Sequence, residues 1–420
     1  MIRQPTHAPD PPPLPGRAGA GGARARIALA HDWLVGYRGG EAVLDRIARV
    51  AARLGETHVL YTMFDDGRPL TPAIDALAHE TPWIARLPGA SGPLRRWMLP
   101  LYPSMVASLS RLLAREHKRR PFDLIISTSS AAIKGLLPPL STGGKPVPHL
   151  CYCHSPARYL WSQSDEYARG RHGGLRAMGL SLFGDRLRRW DRATADERHI
   201  TRILANSTHT AAEVERCWRR QADVVFPPVR TEFFTPPPGP GHTREPFWLL
   251  AGALEPYKRA DLAIDAARLA GRRLVVVGTG SQESRLRAAG RRRAGQGGGD
   301  HVTFMGRVPD QELRRLYRTA ELLIFPQVED FGIIAVEAQA CGLPVVARRA
   351  GGALDTVIDG ITGALFDEPT PEAIAAAAAR APRGPTVAAA CRRNAERFSE
   401  AGFDAAILAH ATALLNRGPA

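Results

Sequence analysis

Short apolar runs recur along this chain and alternate with longer amphipathic stretches. RIALA (26–30), HVLYTM (58–63), DLIISTSS (123–130), HLCYC (149–153), RILANS (202–207) and DVVFPPV (223–229) have the length and apolar content of buried strands. A loop, HDWLVGYRGGEAVL, follows the first run and leads into a helix from Glu41 to about Leu54, and HTAAEVERCW (209–218) is a second helix. Strand, loop, helix, strand is the order of βαβ units and predicts a parallel sheet. After residue 246 the same order returns. FWLLAGAL, RLVVVGTG, HVTFMG, ELLIFPQ, PVVA and GALF read as strands. KRADLAIDAARLA, DQELRRLYRTA, GIIAVEAQACG, TPEAIAAAAARA and SEAGFDAAILAHATALL read as helices. Gly342 suits a helix C-cap, and Thr370–Pro371 suits a helix start. The fold expected is α/β, with two doubly wound Rossmann-like domains facing across a cleft.

Between the two series lies TPPPGPGHTREP (235–246), whose Pro and Gly content excludes regular structure and marks a linker. The expected division is a Pro/Gly-rich disordered tail (1–24), an N-terminal domain (25–234), the linker (235–246), a C-terminal domain (247–400) and a final helix and tail (401–420). The first 24 residues lack the apolar segment of a signal peptide. No apolar run reaches the roughly 18 residues that span a bilayer. The expected location is cytoplasmic, soluble or peripheral on the inner face of the plasma membrane.

Composition changes this picture in two ways. Lys and Arg outnumber Asp and Glu by 56 to 41, a formal charge of +15, which favours anionic partners. Nucleic acid is one such partner, but no recognisable nucleic-acid module is present. Five cysteines in 420 residues form no disulfide framework. Cys151, Cys153 and His154 suggest a metal site, yet no second Cys/His pair stands at zinc spacing. No metal or cofactor is expected, and Asp65–Asp66 read as turn residues.

Ligands of open α/β sheets bind beyond the carboxyl ends of strands. That rule selects the loops 31–41, 154–161, 252–259 and 326–333. In the last, Glu329 stands before Phe331–Gly332, where a helix opens, and Glu337 lies eight residues on. Eight helical steps span about 12 Å and return close to the same face. One ligand of nucleotide-sugar length then reaches both carboxylates, and carboxylates suit sugar hydroxyls. An acid ahead of a helix also serves as a simple cap. Lys258 follows the first strand of its domain and suits a diphosphate, although a solvated lysine is as ordinary there. Gly39 and Gly40 sit at a strand-to-helix turn, where backbone N–H groups approach phosphate closely. His154 ends a strand and is expected to face the cleft.

EDFGIIAVEAQACGLPVVA (329–347) resembles the E-x7-E signature of family 4 glycosyltransferases, which have the GT-B fold. HDWLVGYRGGEAVL, CYCHSPARYLW, ILANS, FPPVRTEFF, PYKRADLAIDA and RAGGALDTVIDGITGALF are similar, in that order, to mannosyltransferase-like enzymes of O-antigen and exopolysaccharide assembly. The resemblance runs over about residues 25–410. It implies retaining transfer of a hexose, with mannose from GDP-mannose as the expected donor, onto a polyprenyl-diphosphate-linked or glycan acceptor. The alternatives are a glucosyl or N-acetylglucosaminyl transferase using a UDP-sugar, or an inactive nucleotide-sugar-binding homologue.

The resemblance further implies that Glu329 contacts the hexose, beside the backbone amides of Phe331, Gly332 and Ile333. Glu337 would hold the ribose and Lys258 the diphosphate. Gly39 and Gly40 would approach the donor phosphates, and His154 the reacting centre. The chain departs from the pattern at Ala253, where these enzymes carry a second diphosphate-binding arginine, and at Asp355, where they carry Glu. Arg259 and Arg307 are the substitutes considered for the missing cation. Basic, aromatic-bearing segments at 87–120 and 169–192 suggest docking on an anionic membrane surface.

Overall fold

The computed structural model describes residues 24–87, 89–92, 95, 97–162, 173–239, 244–294 and 301–416, without the side chains of 173–182 and 291–294. By contact density the chain divides into two units. One holds residues through Ile203, with Cys217–Arg220 and the chain from Ile407 onward; the other holds Leu204–Arg216 and Gln221–Ala406.

The first sheet has seven strands: β1 (Ala25–Leu34), β2 (Gly55–Asp65), β3 (Ala78–Glu80), β4 (Leu124–Ser129), β5 (His149–Cys153), β6 (Arg202–Ala205) and β7 (Asp223–Val224). Their order is β3-β2-β1-β4-β5-β6-β7. Helix α1 (Gly39–Leu54) links β1 to β2. Helices α2 (Pro72–Asp75), α3 (Tyr102–Arg119), α4 (Gly173–Ala193) and α5 (Thr208–Trp218) follow in turn. Two expectations are corrected here. His31 and Asp32 are not in a loop, because β1 runs on to Leu34 while pairing with β2 as far as Asp65. The DVVFPPV segment contributes two strand residues, since Pro227 and Pro228 lack the N–H that a strand ladder needs.

The second sheet has six strands, β8 (Phe247–Ala251), β9 (Arg273–Val277), β10 (Val302–Gly306), β11 (Leu322–Phe325), β12 (Val345–Arg348) and β13 (Gly363–Phe366), in the order β10-β9-β8-β11-β12-β13. The helices of this half are α6 (Ala260–Leu269), α7 (Glu283–Ala294), α8 (Asp310–Thr319), α9 (Ile333–Ala340), α10 (Ala353–Thr356), α11 (Pro371–Arg380), α12 (Pro385–Glu396) and α13 (Glu400–Leu415). Its strands read as unbroken apolar runs because helices cover both faces. Leu249, Ala251, Leu323, Phe325 and Val345 enter one core cluster, while Trp248, Leu250, Leu322, Ile324 and Val346 enter another. Successive residues alternate between the clusters, as a period of two requires. Segment 235–239 is fastened within its own unit, with the Arg318 guanidinium donating to the Thr235 carbonyl over 2.7 Å. Nearby, Arg244 donates to the carbonyls of Tyr317 and Ala320.

One polar cluster lies inside the first unit. Lys134 is fully buried, with its ammonium 3.2 Å from the Asp191 carboxylate. It donates to the Asp191 carbonyl over 2.6 Å and stands 4.5 Å from the centre of the Trp218 ring. The indole N–H groups of Trp161 and Trp218 both donate to Asp191 Oδ2, over 2.8 and 2.7 Å. A buried ion pair is sustained only when such further bonds satisfy its remaining polar atoms.

Both strand orders reverse direction once, at β1/β4 in the first sheet and at β8/β11 in the second. Ligands of doubly wound sheets bind beyond the strand ends at such points.

Candidate functional site

In the first unit, the carboxyl-terminal half of β1 carries two buried polar residues toward the β1/β4 reversal. Asp32 accepts four backbone N–H bonds, from Ser130, Ala131, Ala132 and Ile133, at 2.6 to 2.8 Å. This carboxylate satisfies the turn after β4 and ties it to β1. His31 is the register partner of Thr128, and its Nδ1 lies 2.5 Å from Thr128 Oγ1. His154 follows β5, its backbone N–H donating to the Ser129 carbonyl over 2.8 Å. The residue is half-buried, but its Nε2 is shielded from water. Burial lowers both imidazoles, His31 to about 4 and His154 to about 3, the latter helped by the charge of His31. Both rings are therefore neutral at ordinary pH.

Gly39 and Gly40 are the first two residues of α1. A β-carbon at Gly40 would stand 3.7 Å from His31 Cε1 and 3.9 Å from His154 Nε2. The missing side chain leaves a space bordered by two imidazoles and the helix start. Glu41, buried in the first turn, accepts the backbone N–H of Arg38 over 3.0 Å. Burial raises its carboxyl. Three expected residues, Gly39, Gly40 and His154, thus gather at one place, together with His31. Sequence reading quoted His31 within HDW but gave it no part; its place on a strand beside Thr128 was the missing signal.

Cys151 and Cys153 are buried within β5, and burial pushes the Cys151 thiol up to about 11. Among the described residues no three His, Cys, Asp or Glu side chains group as metal ligands do.

In the second unit, Lys258 ends a 3-10 turn (Pro256–Lys258) after β8. Its ammonium is bonded to Glu329 Oε1, and both side chains are largely buried. Gln327, after β11, donates to the same carboxylate oxygen over 3.1 Å. At Ala253 the chain lacks the second diphosphate-binding cation that the resemblance implies beside Lys258, and Lys258 is paired instead with the Glu329 carboxylate. Of the two substitutes considered, Arg259 pairs with Asp261 at 3.3 Å, and Arg307 is exposed after β10.

The separation of eight helical steps expected between Glu329 and Glu337 is corrected. Helix α9 begins at Ile333, so Glu329 lies in the loop before it, and eight helical steps do not separate the two acids. The break is Gly332, with φ at +92°, where a β-carbon would stand 2.8 Å from Phe325 Cζ. Both the left-handed backbone and the close ring require glycine. The Phe331 side chain is in the core against Phe226 and Phe398, so only its backbone is available to a ligand. The loop is also fixed from behind. Gly352 donates its N–H to the Glu329 carbonyl over 2.8 Å, and a β-carbon there would lie 2.3 Å from Phe331 Cα.

Glu337 faces a separate polar group. Tyr317 Oη lies 3.4 Å from its Oε2, and the Arg230 guanidinium 4.0 Å from its Oε1. Arg230 also bonds Asp310 over 2.7 Å and lies over the rings of Phe233 and Phe234. Burial raises Glu337 to about 7, against the attraction of Arg230. Nothing in the order of residues joins Arg230, Asp310 and Tyr317 to Glu337, since 80 residues separate Arg230 from Asp310.

Two parallel doubly wound sheets, each with polar side chains gathered where its strand order reverses, are the two halves of the GT-B architecture. Solved structures share it. Anabaena Alr3699/HepE in complex with UDP superposes with a TM-score of 0.62 at 18% identity, over 92% of this chain and 100% of that one. Sucrose-phosphate synthase from Thermosynechococcus elongatus gives 0.65 at 20%, over 94% and 99%. Residues 37–233 match the family described as Glycosyltransferase Family 4, and residues 237–398 match Glycosyl transferases group 1. A D-inositol 3-phosphate glycosyltransferase of Arthrobacter sp. (strain FB24) is 30% identical over 316 residues, 70% of each chain. Its counterpart from Mycolicibacterium smegmatis is 36% identical over 160 residues, and the chain spans 37% of that relative's length. This chain belongs to the family 4 glycosyltransferases.

Proposed function

We propose that the chain is a retaining hexosyltransferase that draws its sugar from a nucleotide diphosphate donor. The observation that carries this reading is the Lys258–Glu329 pair with Gln327, set beyond β8 and β11 just ahead of the N–H groups that open α9. An ammonium beside a sugar-binding carboxylate, at a helix start, suits a ligand that is anionic at one end and hydroxylated at the other. Lys258 neutralises the departing diphosphate, and Glu329 orients hexose hydroxyls. Glu337 accepts the ribose hydroxyls. Departure of the diphosphate on the side where the acceptor enters lets its oxygen take the acceptor's proton, which preserves the anomeric configuration. Basic side chains and helix N-termini supply the charge stabilisation, so no metal enters the scheme.

Mannose from GDP-mannose is the first donor assignment, resting on the ordered run of motifs across both halves. The contacts named above address phosphate, ribose and hydroxyl groups that UDP-sugars share, so a UDP-sugar is the second. A thermal-shift panel of GDP, UDP and ADP separates them, since a ligand that binds only the folded state raises the unfolding temperature. Stabilisation by GDP alone supports mannose; stabilisation by none of the three rejects the donor reading. Binding without transfer, to lipid extracts or to D-inositol 3-phosphate as acceptors, would identify an inactive homologue, the outcome that Ala253 makes worth testing.

For the acceptor side we propose a polyprenyl-diphosphate-linked glycan, met at an anionic membrane face. The first unit exposes Trp83, Leu87, Trp97 and Leu101, and the outer face of α3 exposes Arg111, Arg115, Lys118 and Arg119. Arg96 and residues 169–172 of the expected basic segments lie outside the described residues. Among the described residues no helix is long and apolar enough to cross a membrane. Flotation with vesicles containing anionic lipid tests the surface: binding at low salt that is lost on reversing the four α3 charges supports it, and absence of binding rejects it.

A further inference from the structure

His31 is a buried polar group that this scheme leaves unused. It is 4% exposed, and one ring nitrogen is engaged by Thr128 Oγ1. The other, Nε2, is shielded from water and has no hydrogen-bond partner among the described residues. Buried polar atoms are ordinarily bonded, so an orphan of this kind calls for a partner. Its surroundings indicate which. The Cε1 edge of the ring lies 3.7 Å from where a Gly40 β-carbon would be, and His154 Nε2 lies 3.9 Å from the same point. Gly40 is in the first turn of α1, a helix of 16 residues. First-turn N–H groups have no intrahelical acceptor, and the helix end is electropositive. An orphan ring nitrogen, a missing side chain and a helix start thus converge on one space: the helix start favours an oxygen anion, the absent side chain leaves it room, and the nitrogen can donate to it when it carries the ring's proton.

We propose that His31 contacts the ligand: Thr128 engages Nδ1, and in the tautomer that carries its proton on Nε2 the ring donates to a phosphate oxygen of the nucleotide sugar over Gly40. The assignment rests on the nucleotide-sugar reading and adds a donor to it. Burial keeps this ring uncharged, as it does that of His154, so the contact is made without a buried cation. The division of labour is specific. Nδ1 fixes the ring against β4, and Nε2 serves the ligand.

Two substitutions separate those tasks. In His31→Asn the amide reaches the Nδ1 position and falls short of Nε2; in His31→Gln it reaches Nε2. Titration calorimetry with GDP and UDP, and with guanosine and uridine, is run on the full chain. For whichever diphosphate the wild type binds, His31→Asn is expected to weaken binding on the order of tenfold to a hundredfold, the range of one hydrogen bond to a charged group. His31→Gln is expected to stay within a few-fold of wild type, and nucleoside binding is expected to change in neither. If His31 only braces the fold, the order reverses or both variants bind as wild type does, which overturns the proposal. Thr128→Val, near-isosteric, serves if His31→Asn does not fold: loss of the ring's anchor should weaken diphosphate binding several-fold, and unchanged binding overturns the assignment. Failure of the wild type to bind any nucleoside diphosphate is a different result, because it removes the nucleotide-sugar reading itself.

Discussion

The ammonium of Lys258 rests on the carboxylate of Glu329, so these two residues proposed to hold the donor are each other's partners. A diphosphate must draw Lys258 away from that carboxylate or share it. Glu329→Gln removes the competition. Nucleoside diphosphate binding is expected to be equal or tighter, while turnover falls on the order of 10²–10³-fold because the hexose loses a charged acceptor at the reacting ring. Calorimetry beside transfer kinetics checks both; turnover near wild type would remove Glu329 from its role.

Glu337 ties stability to pH. Its carboxyl sits at about 7, above the ordinary 4.5, because burial disfavours the charge. The folded chain therefore binds more protons than the unfolded chain between these values, and stability contributed by the group is lost as pH rises from about 4.5 through 7. The shift bounds the effect at roughly 3 kcal/mol. Denaturant unfolding from pH 5 to 8 should show the decline, and Glu337→Gln should flatten it. Arg230→Met, which removes the nearby cation, should move the decline to higher pH.

Gly332 sets where α9 begins. Gly332→Ala places a side chain at φ +92° and 2.8 Å from the Phe325 ring. A cost of about 1–3 kcal/mol is expected from the backbone alone. Because the same glycine orients the N–H groups that open the helix, nucleotide binding should weaken more than the stability loss alone predicts. Thermal unfolding and calorimetry on one preparation distinguish the two effects.

Lys134→Met leaves Asp191 as a buried charge without its counterion, and a loss of about 3–5 kcal/mol is expected. Lys134→Met combined with Asp191→Leu should cost less than the sum of the single changes, since neither charge is then stranded. Urea unfolding of the three variants measures the coupling.

The architecture was legible because covered parallel strands write themselves as unbroken apolar runs, as LLIF and VVAR show. Lys258, Glu329 and Glu337 drew attention as candidates because each stands near a strand end or helix start. The contacts between them were not legible. Spacing alone counted eight helical steps between the two glutamates, and only the left-handed Gly332 shows that α9 starts four residues after Glu329. Arg230 and His31 escaped attention because their meaning lies in partners about 80 and 97 residues away, Asp310 and Thr128. Asp32 was hidden by a different cause: its four bonds go to backbone N–H groups, which leave no mark on residue identity.

The Lys134–Asp191 cluster has an optical consequence. Trp161 and Trp218 give their indole N–H groups to one carboxylate oxygen, and a cation lies against the Trp218 ring. The electric field at those rings is fixed by charges a few ångströms away, and the wavelength of indole emission follows that field. These two tryptophans are a built-in spectroscopic gauge of the first unit's interior. Their emission should stay constant through any event that leaves the ion pair intact and move at once when it opens.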